Sequence, residues 1–270
     1  MRKIIKERIN PKLAKSDYDC DYILALALDI GEEMLISGGE VNRVETTIAR
    51  ILGAYGCEKL NVFVIPGYIS VSLLSPEGAI LNQSRRIYSF NNNMSHLEAL
   101  NELSRYICSN KPTVEEIYHR LDDIELLEYK KDNLVMILAY FFGSGGFTIF
   151  FGGNWLDALA AGGIGVFIMA MNRFSKMQKM NRVVYTLMTA CLSGVLAVLL
   201  CYVGLGQHLD KIIIGDIMLL VPGAMLTLAV RDMLCGDIIA GLFRAVESIL
   251  IGGAIGAGYA IPLFMLGGLL

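Results

Sequence analysis

The stretch IIIGDIMLLVPGAMLTLAVRDMLCGDIIAGLFRAVES, residues 212–248, decides how the chain is read. An apolar run from Ile212 to Val230 and a second from Ile238 to about Ile261 each have the length of a membrane helix. Asp216, Arg231, Asp232, Asp237, Arg244 and Glu247 nevertheless lie inside or between these runs. A charge at the centre of a membrane helix costs ~2.5–3.5 kcal/mol on insertion scales, and such side chains usually pair, face a bundle interior or line a solute path. The stretch is therefore expected to be the working part of a transporter, held in place by the rest of the chain.

Within it, Pro222-Gly223 stands near the centre of the first run. Proline has no N–H to give the helix ladder, so a kink, or backbone carbonyls free to line a cavity, is expected there. Asp237, Gly241, Arg244 and Ser248 share one helix face, and Glu247 follows Arg244 by three positions, within reach of it. Counted from Ile238 at ~1.5 Å per residue, Arg244 lies roughly 9 Å deep and Glu247 roughly 14 Å. Glu247 is thus read as a titrating or solute-contacting residue and Arg244 as its partner or an anion contact. The competing reading is an ion pair that only locks the bundle. Asp216 is placed one turn inside the outer end of its span, at the edge of water. Arg231-Asp232 and Gly236-Asp237 form an inner turn, either a gate or a loop that satisfies itself.

Working outward, the chain divides by charge. Residues 1–133 carry 16 Lys/Arg and 20 Asp/Glu, whereas residues 134–270 carry 7 and 6, in a chain of mean hydropathy +0.53. The first part is charged like a soluble domain and the second like a membrane domain. Neither has the basic stripe that nucleic-acid binding needs. The run Arg2, Lys3, Lys6, Arg8, Lys12 and Lys15 reads as a solvated or membrane-surface tail. Further apolar segments cover Leu134–Gly153, Leu156–Phe174 and Val183–Gly204, which gives five spans with glycines that let helices approach closely. Arg173, Lys176, Lys179 and Arg182 form the most basic loop of the membrane half and are placed in the cytoplasm by the positive-inside rule. The first apolar run, Tyr22–Leu28, is too short for a signal peptide, so the N-terminal half is expected in the cytoplasm and the end of the fifth span outside. An odd, glycine-rich bundle of this kind looks like half of a two-repeat transporter.

The soluble part reads as residues 21–130, after a polar tail over 1–20 and before a membrane domain over 131–270. Helices are expected over Asp21–Ile36, ending at Gly38-Gly39, and over Glu40–Tyr55, with Arg43 and Glu45 on a solvated face. Strands follow at Asn61–Ile65 and Tyr68–Leu74, with short ones at Ala79–Leu81 and Arg86–Ser89, the turn Ser75-Pro76-Glu77-Gly78 between them. Capping boxes at Ser95-x-x-Glu98 and Thr113-x-x-Glu116 open two more helices, and Lys130-Lys131-Asp132 ends the domain. The fold class is a five-helix membrane bundle preceded by a small cytoplasmic α+β domain.

Chemistry of other kinds finds little support. The cysteines at 20, 57, 108, 191, 201 and 235 show no zinc spacing, and His96, His119 and His208 lie far apart, so no metal or cofactor is expected. No phosphate-binding loop is present, and Ser144 in Gly143-Ser144-Gly145 reads as a packing residue rather than a nucleophile. Asn154-x-x-Asp157 reads as a helix cap ahead of a ligand set.

Three motifs carry a resemblance. Gly31-Glu32-x-Met34-Leu35-x-Ser37-Gly38-Gly39-Glu40-x-x-Arg43-Val44-Glu45, then Leu100-Asn101-Glu102-Leu103-Ser104-Arg105, then Pro222-Gly223 through Arg231-Asp232-x-x-x-Gly236-Asp237-x-x-x-Gly241-x-x-Arg244-x-x-Glu247 resemble the threonine/serine exporter family. They look most like the large subunit of its split two-component form, to which the bacterial succinate exporter pair belongs. The resemblance runs from about Tyr22 to Ile261 and implies export of an amino acid such as threonine or serine, or of a dicarboxylate, driven by an ion gradient across the inner (plasma) membrane. It also implies a separate small membrane partner and gives Arg43, Glu45, Ser104 and Arg105 a role that it does not define. A reading of another class is a membrane-anchored signalling or hydrolytic module whose soluble half acts and whose helices only tether. A third is a partner-free homo-oligomeric channel.

Overall fold

The computed structural model describes residues 20–75, 78–88, 92–128, 133–178 and 180–266, without the side chains of 125–128 and 175–178. The basic run Arg2–Lys15, the turn pair Pro76-Glu77, Lys130-Lys131-Asp132 and Lys179, as well as the Lys176 side chain, lie outside what is described. The protein has two compact units. One holds the described residues up to Lys130 together with Thr227–Arg244, and the other holds those from Lys131 to Leu226 together with Ala245 onwards.

The first unit is built round α1 (Cys20–Ile36), in which Ile23, Leu24, Leu26, Ala27, Leu28, Ile30, Met34 and Leu35 are all fully buried. A helix that is apolar on every side has to be enclosed. Here α2 (Val41–Ala54), α3 (Met94–Asn110), α4 (Val114–Glu128) and an antiparallel sheet enclose it. The sheet runs β1 (Glu58–Ile65), β2 (Tyr68–Leu74), β3 (Ile80–Arg86) in sequence order. The ladder pairs Val64 with Ile69 and Ile69 with Arg85, so Val62, Val64, Ile69, Val71, Leu73 and Leu81 share the face turned to the core.

β3 is one continuous strand where two short ones were expected. Its polar centre is tolerated because the inward Gln83 and Arg85 meet acids on α1: Gln83 Nε2 donates to Asp21 Oδ1 at 2.8 Å and Arg85 Nη2 to buried Asp29 Oδ1 at 3.4 Å. The cap of α3 is Asn93, whose Oδ1 accepts from His96 N, and not Ser95. Thr113 caps α4 as expected, accepting from Glu116 N. At the start of α1, buried Cys20 Sγ lies 2.9 Å from Cys57 Sγ.

The second unit is helical: α5 (Asn133–Phe150), α6 (Trp155–Gln178), α7 (Arg182–Tyr202), α8 (Leu209–Leu220), the start of α9 (Gly223–Leu234) and most of α10 (Ile238–Leu266). Among the described residues four helices are long and apolar enough to cross a membrane, α5, α6, α7 and α10, and the bent pair α8–α9 makes a fifth if it counts as one span. The bend is 51° and falls where expected: Gly223 N reaches Val221 O, and Pro222 has no N–H to continue the ladder.

Glycines set the helix spacing, though not all of those foreseen. A Cβ at Gly165 would stand 2.5 Å from Tyr140 O and one at Gly145 would stand 2.8 Å from Ala158 O, so α5 and α6 touch backbone to backbone. Gly146 and Gly163 face nothing within 4 Å. At the turn into α6, Asn154 and Asp157 exchange backbone–side-chain hydrogen bonds, each N–H donating to the other's oxygen at 2.9 Å. Asp157, fully buried, also accepts from Gln207 N, His208 N and His208 Nδ1, so one carboxylate fastens the starts of α6 and α8.

Gly165→Ala is expected to lower the midpoint of thermal unfolding in detergent by an amount equivalent to about 1–3 kcal/mol of overpacking. Gly163→Ala is expected to fall within about 0.5 kcal/mol of the parent.

Candidate functional site

The expected path residues separate into two constellations, one in each unit. In the first unit the N-terminus of α2 is their centre. Val41 follows the extended Glu40, and its N–H hydrogen-bonds the Asp232 carboxylate, so α9 supplies the cap that Glu40 does not provide from its own side chain. Glu40 instead pairs with Arg231 at 2.7 Å. Arg244 Nη2 donates to Gly39 O at 2.8 Å, and its Nη1 stands 3.2 Å from Asp232 Oδ2, with both side chains buried. The glycine fits the crowding here, since a Cβ at Gly39 would be 2.8 Å from Met34 O. On α10, Gly241 fits against Ala229 O and brings the helix against α9.

Thus the Ser37-Gly38-Gly39-Glu40 motif and the Arg231-Asp232…Arg244 motif, some 200 positions apart in sequence, meet at one helix end. Glu45 belongs to the same neighbourhood and is not a solvated-face residue: its Oε1 accepts from Val64 N at 2.9 Å. Burial raises its carboxyl above the usual range, the Val64 N–H opposes this, and the Asp237 charge adds to it. Arg43 and Arg105 are exposed, and Ser104, buried, donates to Asn101 O within its own helix, so none of these three joins the cluster.

In the second unit Glu247 has a partner different from the one expected. Its Oε1 stands 3.6 Å from Arg182 Nη1, with both side chains part-exposed. Arg182 opens α7, and at the same end Arg173 Nη1 donates to Asn133 Oδ1 at the start of α5. Glu247 therefore sits at the basic end of the bundle and not near its middle. Roughly 14 Å along α10 at ~1.5 Å per residue, Glu247 is nevertheless level with Arg182 at the start of α7, so the count along its own helix does not give its place in the bundle. The remainder, Ser248–Leu266, is roughly 28 Å long at ~1.5 Å per residue, close to the ~30 Å core of a bilayer.

The middle of the bundle is occupied by Asp216. It was expected at the edge of water, but it is fully buried, and Ser144 Oγ donates to its Oδ1 at 2.5 Å. Ser144 is thus more than packing. Its neighbour Thr148 donates to Ser144 O, and Gly215 permits the approach, since a Cβ there would overlap Thr148 Oγ1 and stand 2.8 Å from Ser144 O. Asp216 Oδ2 has no hydrogen-bond partner. Tyr259 on α10 lies within the field of this carboxylate and beside Ser193 of α7, without a well-formed hydrogen bond to either. Counted from the basic end, Ser144, Ser193 and Tyr259 each lie roughly 16–18 Å deep at ~1.5 Å per residue. Hydroxyls from three helices and a carboxylate from a fourth therefore share one level. Among the described residues, no three His, Cys, Asp or Glu side chains gather as a metal site.

The comparison with known families joins these observations. The sequence profile of the threonine/serine exporter family (ThrE) matches residues 25–266. The chain belongs to the threonine/serine exporter family. No curated protein and no solved structure matches it. As a member of that family it is a membrane exporter of threonine/serine-like small molecules, and its apolar helices are those of a membrane protein. Both motif clusters and the Asp216 level lie inside the matched segment. Sequence reasoning missed Ser144, Ser193 and Tyr259. The only available signal was their hydroxyls inside otherwise apolar spans.

Arg244→Ala should cost about 3–5 kcal/mol, because it leaves buried Asp232 without its counter-charge, whereas Glu247→Gln should cost under about 1 kcal/mol at a part-exposed pair. Urea denaturation of the full chain in detergent compares the two. The same assay tests Glu45. A raised folded-state pKa gives stability that is complete below the unfolded value and is lost as pH rises through the folded one, so wild type should lose stability relative to Glu45→Gln as pH rises above about 4.

Proposed function

We propose that the chain is one subunit of a secondary exporter, driven by an ion gradient, that moves an amino acid such as threonine or serine, or a dicarboxylate such as succinate, out of the cell. The observation that carries this reading is a fully buried carboxylate at mid-bilayer depth on a span that breaks one turn further on, at Val221-Pro222. Buried ionisable groups inside a membrane default to solute or ion pathways, and broken helices are where transporters build their sites.

In this reading the protein sits in the inner (plasma) membrane with its first unit in the cytoplasm. The basic end of the bundle, with Arg173 and Arg182, supports that orientation through the positive-inside rule. A separate small membrane subunit completes the transporter. In support, Gly252, Gly253, Gly256 and Ala257 lie exposed along α10, and none of these glycines has an atom within 4 Å of its added Cβ, an open small-residue surface of the kind membrane helices use to pack. The Arg231, Asp232, Asp237 and Arg244 cluster acts in the same reading as a gate, holding α2 while closed.

Cells loaded with labelled threonine, serine or succinate should release at least one of them several-fold faster when they make this chain with its membrane partner. Unchanged release of all three would reject the reading. Pro222→Ala, which restores an N–H to the ladder, should slow that release at least tenfold at an unchanged level of protein in the membrane.

A further inference from the structure

Asp216 has surroundings unlike those of any other charge in its unit. Among the described residues of the second unit, the other charged side chains are Asp157, Arg173, Arg182, Asp210, Lys211 and Glu247, and all stand at the ends of the bundle. The polar groups at Asp216 are neutral: Ser144 from α5 donates to it and Tyr259 from α10 lies within its field, with Thr148 next to Ser144 and Ser193 of α7 beside Tyr259. α6 brings no charged group to this level and meets α5 here through Gly165, whose added Cβ would lie 3.0 Å from Ser144 Cβ. An isolated ionised carboxylate in hydrocarbon is far too costly to persist, so Asp216 has to bind a cation whenever the bundle closes round it. All the groups round it are oxygens, and one carboxylate oxygen is left without a partner.

The hydroxyls extend away from this level. On α7, Thr189 and Tyr185 follow Ser193 at steps of four towards the basic end, on one helix face. Tyr185 lies beside Thr189 and within the field of Tyr140 on α5, whose OH accepts from Asn172 Nδ2 at 3.1 Å. Tyr185, Thr189 and Ser193 thus recur on one face of α7 between the basic end and the Asp216 level, with Tyr140 of α5 near one end of the row and Tyr259 of α10 near the other. Thr189 and Ser193 are fully buried and make no well-formed hydrogen bond. A hydroxyl both donates and accepts, so a row of them can hand on a proton once side-chain motion or water closes the gaps between its members.

We infer that Asp216 is the residue that binds and releases the coupling proton of this exporter, and that the hydroxyl row from Tyr140 to Tyr259 is the proton's route between Asp216 and the basic end. This rests on the exporter reading above. The step is one of proton binding alone: a proton adds to the Asp216 carboxylate oxygen in one access state and leaves it in the other, with the negative charge neutralised while the group is enclosed.

The test uses the full chain with its membrane partner in sodium-free liposomes and the labelled metabolite that the efflux measurement identifies. Two rates are compared, exchange at equal pH on both sides and uphill transport driven by a pH gradient. Asp216→Asn, a permanently neutral isostere, should still show exchange, now independent of pH, and should lose uphill transport. Tyr259→Phe and Thr189→Val should slow uphill transport about tenfold and leave exchange untouched. Uphill transport by Asp216→Asn at the wild-type rate would overturn the inference. So would loss of exchange together with uphill transport in Asp216→Asn, which would make the residue a solute or structural contact, or a wild-type requirement for sodium in place of the pH gradient. Should Asp216→Asn fail to reach the membrane, Tyr259→Phe and Thr189→Val decide, and unaltered uphill rates in both reject the route and the assignment together. Absence of exchange in the wild-type protein would instead reject the exporter reading itself.

Discussion

A carboxylate held in the middle of a membrane bundle by a single serine hydroxyl is the constraint to which the rest of the second unit answers. The 2.5 Å hydrogen bond from Ser144 to Asp216 requires α5 and α8 to run almost in contact, which only a residue without a side chain at 215 allows. The same economy recurs on the other side of α5, where Gly145 and Gly165 let α6 approach to backbone distance. Without water to compete, small residues and hydroxyls serve in place of a hydrophobic driving force, because lipid is as apolar as the side chains it surrounds. Hydroxyls and close-packed glycines therefore mark the contacts inside the bundle, next to the buried Ile164, Ile168, Ile212, Ile251 and Ile255.

In the first unit the governing group is again a carboxylate brought to where a charge is wanted. Asp232 caps α2 from another segment of the chain, and Arg244 neutralises Asp232 while tying down the carbonyl just before the helix. Three contacts meet at this junction. Together they replace a local cap by a tertiary one, so that the helix end is complete only when α9 and α10 are in place. A family motif that looks in sequence like a turn followed by a solvated helix is thus half of a joint, and its other half lies in the stretch that opened the sequence reading.

Much of this was legible because hydrocarbon is an unforgiving solvent. The apolar lengths locate α5, α6, α7 and α10, the Pro222 position locates the break, and Asn154 with Asp157 announces a cap that the structure shows. Other features were not. Ser144, Ser193 and Tyr259 carry no pattern of their own, since a hydroxyl among glycines or leucines reads as filler until a neighbouring helix brings it a carboxylate. Glu247 was placed too deep because hydropathy registers where an apolar helix begins and is blind to where the bilayer begins along it. Arg244 and Gly39 meet across 205 positions, and helical periodicity carries no information at that range. Ser95 and Asn93 are chemically equivalent caps, and the choice between them depends on where the preceding loop leaves the sheet.

Asp157 has a mechanical consequence. Because one buried carboxylate grips both the start of α6 and the backbone at Gln207 and His208, the first turn of α8 is a fulcrum, while its other end stops at a proline and is released from the ladder. α8 is therefore a short lever. At ~1.5 Å per residue Asp216 rides roughly 10 Å from the pin and Leu220 roughly 17 Å, so a swing of about 10° would carry the carboxylate about 2 Å and the tip about 3 Å. Such a displacement is enough to part Asp216 from Ser144, and it leaves the Asp157 end of the bundle where it stands.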